Sequence, residues 1–548
     1  MYNYYNMAKV KEAYPNITFE QFLAVFLNYH KRLKELSPAS LKVSLDNTNV
    51  FKEILESHLK DTITLIGDYD VDGITSLAIL SLFLEQIYPK NKIIAEIPNR
   101  FIDGYGLNKR LVEEAIARGS KLIITVDNGI KANDAISLAR QNGIDVLVTD
   151  HHVADLDDLP NANCIINPHM GNDNLVTKEI CGAMTIFLVA RQILTEKGLM
   201  TSRLLDEMAE LAAIGTICDV MPLVGENRQI VKYLINLMNR NEDKNLGISK
   251  LMSVLGQGRL AFNVESVSYG LGPCLNAPGR LDTAFTSYKL LMSHNPADLE
   301  MLAGECDRLN GERKSLTASI LKMANAQLSD DMSVNILYFD NISEGIIGII
   351  AGKVCENTHK PTFVFTNSKS IVKGSGRAPE WCNLIESASS VLKTMSDMVV
   401  GYGGHAGAMG LSLKDKSSLE VFKARYNALV KILPKTEKTT KVIVYPKGYS
   451  LKDVKTSLDK FGPFGQDFEE PIFVCETPIF NINKMGEAHT RFTGYLNDSP
   501  VNFYAFFMSL SPENERKKAR VYFRIHKEIA DSIGTATYSL YVQDVKII

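Results

Sequence analysis

The chain has 548 residues, too many for one core, so about two to four domains are expected. A net charge of −3, with 45% hydrophobic and 22% charged residues, describes an ordinary globular protein and does not advertise a nucleic-acid binder. There is no run of about 18 apolar residues for a membrane span and no apolar signal core in Met1–Lys11, and eight scattered cysteines without a CxxC pair read as reduced thiols of a cytosolic protein.

Residues 1–50 read as a helical leader. From about 60 to 170 apolar strand-like runs alternate with helical patterns: a helix at Ile74–Tyr88, a strand at Ile93–Ile97, a helix at Asn108–Arg118, a strand at Lys121–Val126, a helix at Ala132–Gln141 and strands at Val146–Thr149 and Cys164–Asn167. That alternation predicts a doubly wound parallel sheet. Residues 182–240 read as mostly helical, completing a catalytic α/β domain over 51–294. The stretch 295–330 has helical spacing and predicts a long connecting helix. A smaller α/β domain is expected over 331–433, with strands at Asn335–Phe339 and Thr362–Thr366, a helix at Ile346–Asn357 and a strand through Val372–Arg377.

The polar segment Pro434–Lys441 reads as a linker. Beyond it, short aromatic-bearing strands (Val442–Tyr445, Ile472–Cys475, Val501–Phe507, Arg520–His526, Thr537–Val542) predict a β-barrel over 434–548. Residues 431–548 hold 17 Lys and Arg against 14 Asp and Glu, a mildly basic balance that weakly favours a polyanion partner.

The chemistry lies at the strand ends. Asp68-Tyr-Asp70-Val-Asp72-Gly73, Asp127-Asn-Gly129 and Asp150-His151-His152 each follow an apolar run, so parallel strands would deliver them to one crevice. Asp219 sits in the apolar stretch Gly215–Leu223, where a carboxylate is rarely buried unless paired or coordinated. Such a cluster repels itself unless cations neutralise it. Carboxylate with imidazole suits Mn²⁺, Mg²⁺ or Zn²⁺, and a shared Asp would make a two-metal hydrolytic site. The D-x-D-x-D-G spacing also fits a calcium loop, but the bidentate Glu expected at position 79 is Ile. Gly374-Ser375-Gly376-Arg377 and Gly403-Gly-His405-Ala-Gly407 read either as ordinary turns or as Gly-rich loops that admit a phosphate. Arg280, in Asn276-Ala-Pro-Gly-Arg280, is an anion clamp or a surface residue.

These segments together resemble the DHH phosphoesterases, and among them the RecJ single-strand-specific exonucleases. The resemblance runs through Leu271–Arg280, Leu309–Arg313 and Gly345–Ala351 to Phe461–Phe473, where Gln466-Asp467-Phe468 departs from the usual Gly-Asn-Pro. It implies a DHH domain, a DHHA1 domain and an OB-type barrel. It also implies metal ligation by Asp70, Asp72, Asp127, His151 and Asp219, with Asp68 a ligand or supporting acid and His152 on the scissile phosphate. Arg100, Ser375 and Arg377 would form a 5′-phosphate pocket, Arg280 and His405 would hold nearby phosphates, and Tyr105 would stack on a base.

The implied activity is a cytoplasmic, Mn²⁺- or Mg²⁺-dependent 5′→3′ exonuclease on single-stranded DNA. It would yield 5′-mononucleotides in recombination and repair, with a single-strand-binding protein and a helicase as partners. Removing residues 441–548 would weaken binding to long strands more than chemistry. A phosphodiesterase of short oligoribonucleotides or cyclic dinucleotides is the alternative enzyme, and a replication scaffold the non-catalytic one.

Overall fold

The computed structural model describes residues 2–14, 16–27, 43–171, 173–242, 244–256, 262–368, 370–435, 439–486, 489–506, 508–529 and 536–548. The expected helical leader starts instead with a strand, β1 (Tyr2–Tyr5), before helices α1 (Met7–Ala13), α2 (Phe19–Phe26) and α3 (Thr48–Ser57). The part of that leader from 28 to 42 lies outside the described residues.

The first sheet contains β2 (Thr62–Ile66), β3 (Ile93–Glu96), β4 (Ser120–Val126), β5 (Asp145–Thr149) and β6 (Cys164–Ile166), all parallel, in the order β3-β2-β4-β5-β6. Helices α4 (Val71–Leu84), α5 (Lys109–Ala117) and α6 (Asn133–Gln141) connect its strands. The chain steps from β2 to β3 on one side, then crosses to β4 on the other. The winding direction therefore reverses between β2 and β4, which is where open sheets of this kind open a crevice. Every residue of α4 is buried, as expected for a helix that is apolar on all sides. Helices α7 (Gly182–Glu196), α8 (Ser202–Cys218), α9 (Gly225–Asn239), α10 (Leu246–Val254), α11 (Gly272–Asn276), α12 (Pro278–Leu281) and α13 (Phe285–Met292) complete this layer.

Helix α14 (Pro296–Asn325) is the expected connector, capped at its start by Asn295 and about 45 Å long. It leads to β7 (Asn335–Phe339), α15 (Glu344–Thr358), β8 (Thr362–Ser368), β9 (Ile371–Arg377), α16 (Leu384–Lys393), β10 (Val399–Gly404), β11 (Ala408–Leu413) and α17 (Lys416–Ile432). The sheet order is β10-β11-β9-β8-β7. Gly374–Arg377 lies wholly in the strand expected over Val372–Arg377, and of Gly403–Gly407 the first two residues are strand. Gly374 and Gly376 lie in β9 opposite Phe365 and Phe363, and a Cβ at either glycine would come within 2.5 Å of the facing ring. The glycines make room for two stacked phenylalanines, so an aromatic layer covers what reads as turn composition. Gly403 and Gly404 end β10, and only 405–407 form the turn of a hairpin.

The third sheet holds β12 (Thr440–Val444), β13 (Ile472–Pro478), β14 (Phe480–Met485), β15 (His489–Leu496), β16 (Ser499–Ala505), β17 (Lys518–Ile529) and β18 (Ala536–Ile547), with α18 (Leu451–Asp459) packed against it. Its order is β1-β12-β13-β17-β18-β16-β15-β14, so the strand that starts the chain lies at one edge. Tyr2 to Tyr5 pair in parallel with Thr440 to Ile443. The expected linker runs into this strand, and its residues 436–438 lie outside those described.

Arg228 of α9 reaches into the turn before β13. Its guanidinium donates to the carbonyls of Phe461, Pro463 and, at 2.9 Å, Gly462, and lies 4.3 Å from the Phe468 ring centroid. One continuous apolar cluster joins α2, α4, α7 and α8 to Phe473, Phe503 and Phe523 of the third sheet. The 331–432 region has apolar clusters of its own. Among the described residues no helix is long and apolar enough to cross a membrane.

Candidate metal centre

Strands β2, β4 and β5 end side by side, and the residues after them meet at the switch point. Asp70 caps α4 by accepting from Gly73 N at 3.0 Å, leaving Asp72 in the first turn. Asp72 also sits at the start of α7, accepting from Gly182 N at 2.7 Å and Ala183 N at 2.9 Å. Asp127 adopts a left-handed backbone (φ 61°) that few non-glycine residues use. Asn128 holds that bend. Its amide donates to Ile66 O and Val126 O and accepts from Leu107 N. Asp219 ends α8.

The resulting geometry brings together Asp68, Asp70, Asp72, Asp127, His151, His152 and Asp219. His151 Nε2 lies 3.1 Å from Asp127 Oδ1, 3.6 Å from Asp219 Oδ2 and 3.7 Å from Asp72 Oδ2. Three overlapping sets each converge within 4.8 Å: Asp68, Asp70 and Asp127; Asp127, His151 and His152; and Asp72, His151 and Asp219. Asp127 and His151 each belong to two sets. Separations near 3 Å are those of adjacent ligands on one ion bonded at about 2.1 Å.

The electrostatics demand cations. Burial first, then neighbouring carboxylates, raises the carboxyl groups of Asp68 and Asp127 well above their usual range. Burial with the charges of Asp72 and Asp70 pushes Asp219 up to about 9. Burial holds the His151 imidazole below its ordinary value, which favours the neutral ligand form. Asp68 Oδ1, Asp127 Oδ1 and Asp219 Oδ2 are buried without a hydrogen-bond partner. Oxygen donors with one or two imidazoles suit Mn²⁺ or Mg²⁺, and the residues present fit two such ions.

Asp150 has a separate task that its place in the motif did not disclose. It accepts from the backbone N–H groups of Ile130, His151 and His152, and from His152 Nδ1 at 2.7 Å. Burial opposes charge on both partners. The hydrogen bond between them still wins, lowering Asp150 and raising His152. Asp150 and Asn128 are therefore positioning residues that sequence reasoning passed over. The signal for each was its place inside a strand-end motif.

Tyr105 donates to Asp127 O at 2.8 Å and sets its ring edge-on to His152 and Tyr69, with nearly half its surface exposed. Arg100 lies 3.7 Å over the Tyr69 ring and donates to Gly279 O. Arg280 donates to Gly345 O at 2.9 Å, tying α12 to the start of α15. Arg377 of β9 donates to Ser375 Oγ at 3.1 Å. Burial, then the charges of Arg100, Arg313 and Arg377, bring the Arg280 guanidinium down to about 9. Arg313 of α14 was not among the residues singled out. His405 is lowered by burial and by the charges of Arg377 and His152. These mutually repelling cations lie near enough to Asp68 and Asp70 for their charges to interact, and an anion among them would relieve the repulsion.

Gly182 is a sharp test of this packing. A Cβ there would stand 2.5 Å from Asp127 Cβ. Gly182→Ala should weaken Mn²⁺ binding by roughly tenfold or more, although alanine favours helix by about 1 kcal/mol. A Mn²⁺ titration giving unchanged affinity would contradict the arrangement.

Three family profiles match the chain: the DHH family N-terminal domain over 62–216, the DHHA1 domain over 331–432 and the RecJ OB domain over 447–544. The single-stranded-DNA-specific exonuclease RecJ of Salmonella typhimurium is 31% identical over 488 residues, covering 84% of this chain and 82% of the relative. The protein of that name from Escherichia coli is 32% identical over 453 residues, covering 78% and 77%. The crystal structure of Thermus thermophilus RecJ in complex with Mn²⁺ superposes with a TM-score of 0.80 at 26% identity, over 96% of this chain and 75% of that one. An acid–imidazole cluster at a switch point, a neighbouring arginine group and this similarity over most of the chain agree: the chain belongs to the RecJ family.

Proposed function

We propose that this protein is a Mn²⁺- or Mg²⁺-dependent exonuclease that degrades single-stranded DNA from the 5′ end and releases 5′-mononucleotides. The observation that carries the reading is the convergence of seven acids and imidazoles able to hold metal ions, beside a cluster of arginines. Asp70, Asp72, Asp127, His151 and Asp219 would hold the ions, with Asp68 beside them. When bound, such ions supply water activation and charge neutralisation at the phosphodiester.

The remaining steps belong to the chain. Asp150 engages His152 Nδ1 and raises the imidazole's affinity for a proton, so His152 offers a charge-assisted hydrogen bond to the scissile phosphate. Arg100, Ser375 and Arg377 grip the terminal 5′-phosphate, and Arg280 and His405 hold phosphates beside it. Anchoring that end fixes the direction of digestion. The cleft between the two α/β regions takes one strand, with Tyr105 against a base. In the cytoplasm a helicase or a single-strand-binding protein would present such strands.

The test is digestion of end-labelled single-stranded DNA, RNA and dinucleotide with Mn²⁺, Mg²⁺ or chelator. Release of label from the 3′ end first, or preference for the dinucleotide, would sink the reading. A terminal phosphate carries more charge than an internal diester, so two guanidiniums and a hydroxyl should favour it. Arg377→Ala should cut the preference for 5′-phosphorylated over 5′-hydroxyl ends by roughly tenfold, read as a ratio of single-turnover rates. A ratio unchanged by the substitution would misplace the pocket.

A further inference from the structure

Tyr69 stands between two of the clustered acids but contributes no ligand atom, and the reaction as described gives it no task. Strands β2 and β3 pair in parallel, and Gly67 N donates to Glu96 O at 3.1 Å just past their ends, so the segments that follow leave side by side. Tyr69 lies on the first segment and Arg100 on the turn after the second. That turn is braced from within. Asp103 accepts from Asn99 N at 2.7 Å, Asn99 Oδ1 accepts from Phe101 N at 2.9 Å, and Arg110 holds the Asp103 carboxylate through two nitrogens. Backbone order of this kind still leaves a long arginine side chain free to wander.

Two contacts end that freedom. The guanidinium carbon of Arg100 lies 3.7 Å from the centroid of the Tyr69 ring, and Nε donates to Gly279 O at 3.2 Å. A Cβ at position 279 would collide with Tyr69 O, so only glycine lets these three residues close into one cradle. Among the described residues Nη1 and Nη2 of Arg100 have no hydrogen-bond acceptor, and the Tyr69 hydroxyl makes no hydrogen bond. What Tyr69 offers is therefore its ring. Tyr105 meets that ring edge-on at 6.2 Å and packs in turn against His152, which ties the cradle to the imidazole side of the crevice.

We propose that Tyr69 is a positioning residue for recognition of the 5′ end: its ring face holds the Arg100 guanidinium so that Nη1 and Nη2 meet the terminal phosphate as a fixed fork. This rests on the 5′-phosphate pocket of the exonuclease reading and names the residue that orders it. A guanidinium is weakly hydrated and stacks well on an aromatic face. The bond to Gly279 occupies Nε and leaves the two nitrogens that can match a pair of phosphate oxygens. The ring also settles a competition. The positive charge of Arg100 favours the ionised form of Asp68, so an unsupported guanidinium would be drawn toward the acids and away from the phosphate. The terminal phosphate takes no part in the bond that breaks, so its recognition acts on binding more than on the chemical step.

The experiment uses the full chain with Mn²⁺ and one single-stranded DNA sequence bearing either a 5′-phosphate or a 5′-hydroxyl. The quantity read is the ratio of kcat/KM on the two, which cancels general damage to the metal centre because both ends are cut there. Tyr69→Leu should lower that ratio by roughly fivefold, through a higher KM on the phosphorylated strand, with kcat within about twofold. Tyr69→Phe keeps the ring face and loses only an unbonded hydroxyl, so it should behave as wild type. Phenylalanines with one, two and three fluorines at this position keep the shape and drain the ring face, and the ratio should fall stepwise along that series. In an Arg100→Ala background, Tyr69→Leu should leave the ratio where Arg100→Ala alone puts it.

If Tyr69→Leu fails to fold, the fluorinated series decides. A preference lost in Arg100→Ala but flat across that series, or kept in folded Tyr69→Leu, overturns the role of Tyr69 and leaves the pocket standing. Equal losses from Tyr69→Leu with and without Arg100 show that the ring acts by another route and overturn it too. A wild type indifferent to the 5′-phosphate sinks the pocket itself, and the inference with it.

Discussion

Asp127→Ala is expected to lower the single-turnover rate on single-stranded DNA more than about a hundredfold while the fold survives. Asp127 is common to two of the three donor sets, so its loss affects both candidate ion positions at once. The polar contact of its Oδ1 is with His151 Nε2 at 3.1 Å, so alanine gives up that contact and no hydrogen bond of that oxygen. It also removes one charge from a group in which burial and like charges already raise Asp68 and Asp219. The melting temperature in chelator should therefore hold or rise, and the stabilisation given by Mn²⁺ in the wild type should shrink. A rate above about a tenth of wild type would count against the shared-carboxylate arrangement.

Arg228→Ala should be the most damaging substitution outside the catalytic crevice. The side chain is buried, and its guanidinium is bonded to three carbonyls of the 461–463 turn and lies over Phe468. Alanine would strand those carbonyls and leave a cavity, a loss of about 3 kcal/mol or more. Lysine should recover little, because one ammonium cannot reproduce the planar fork. Thermal unfolding and limited proteolysis of the 461–470 region report it. A melting temperature within about 1 °C of wild type would show that the turn is held by other contacts.

Arg228 also shows where the sequence stops informing. Its partners lie more than 230 positions away and offer backbone carbonyls, which every residue has. The acidic cluster was legible for the opposite reason. Apolar runs announce β2, β4 and β5, and a parallel sheet has only one edge at which their trailing acids can meet. Asp150 and Asn128 stood in those same motifs, yet their roles depend on which backbone groups surround them. The hairpin β10–β11 escaped notice because glycine has low strand propensity. It is held by pairing with its neighbours in the sheet and not by its own composition. The barrel, finally, is not a detachable module. Its apolar side chains belong to the same cluster as the catalytic helices. Deleting 441–548 would expose that cluster, strand the Arg228 side chain and take away the partner of β1. Point substitutions on the solvent face are the cleaner probe.

The strand Tyr2–Tyr5 pairs with Thr440–Ile443, which imposes an order on synthesis. At about 5–20 residues per second, a ribosome needs roughly 20–90 s to travel from one to the other. The catalytic sheet, complete by Ile166, can close early in that interval. The first strand meanwhile has no edge to join and must be kept from pairing elsewhere. The early strand therefore waits, unpaired, for an edge that is synthesised about 435 residues later.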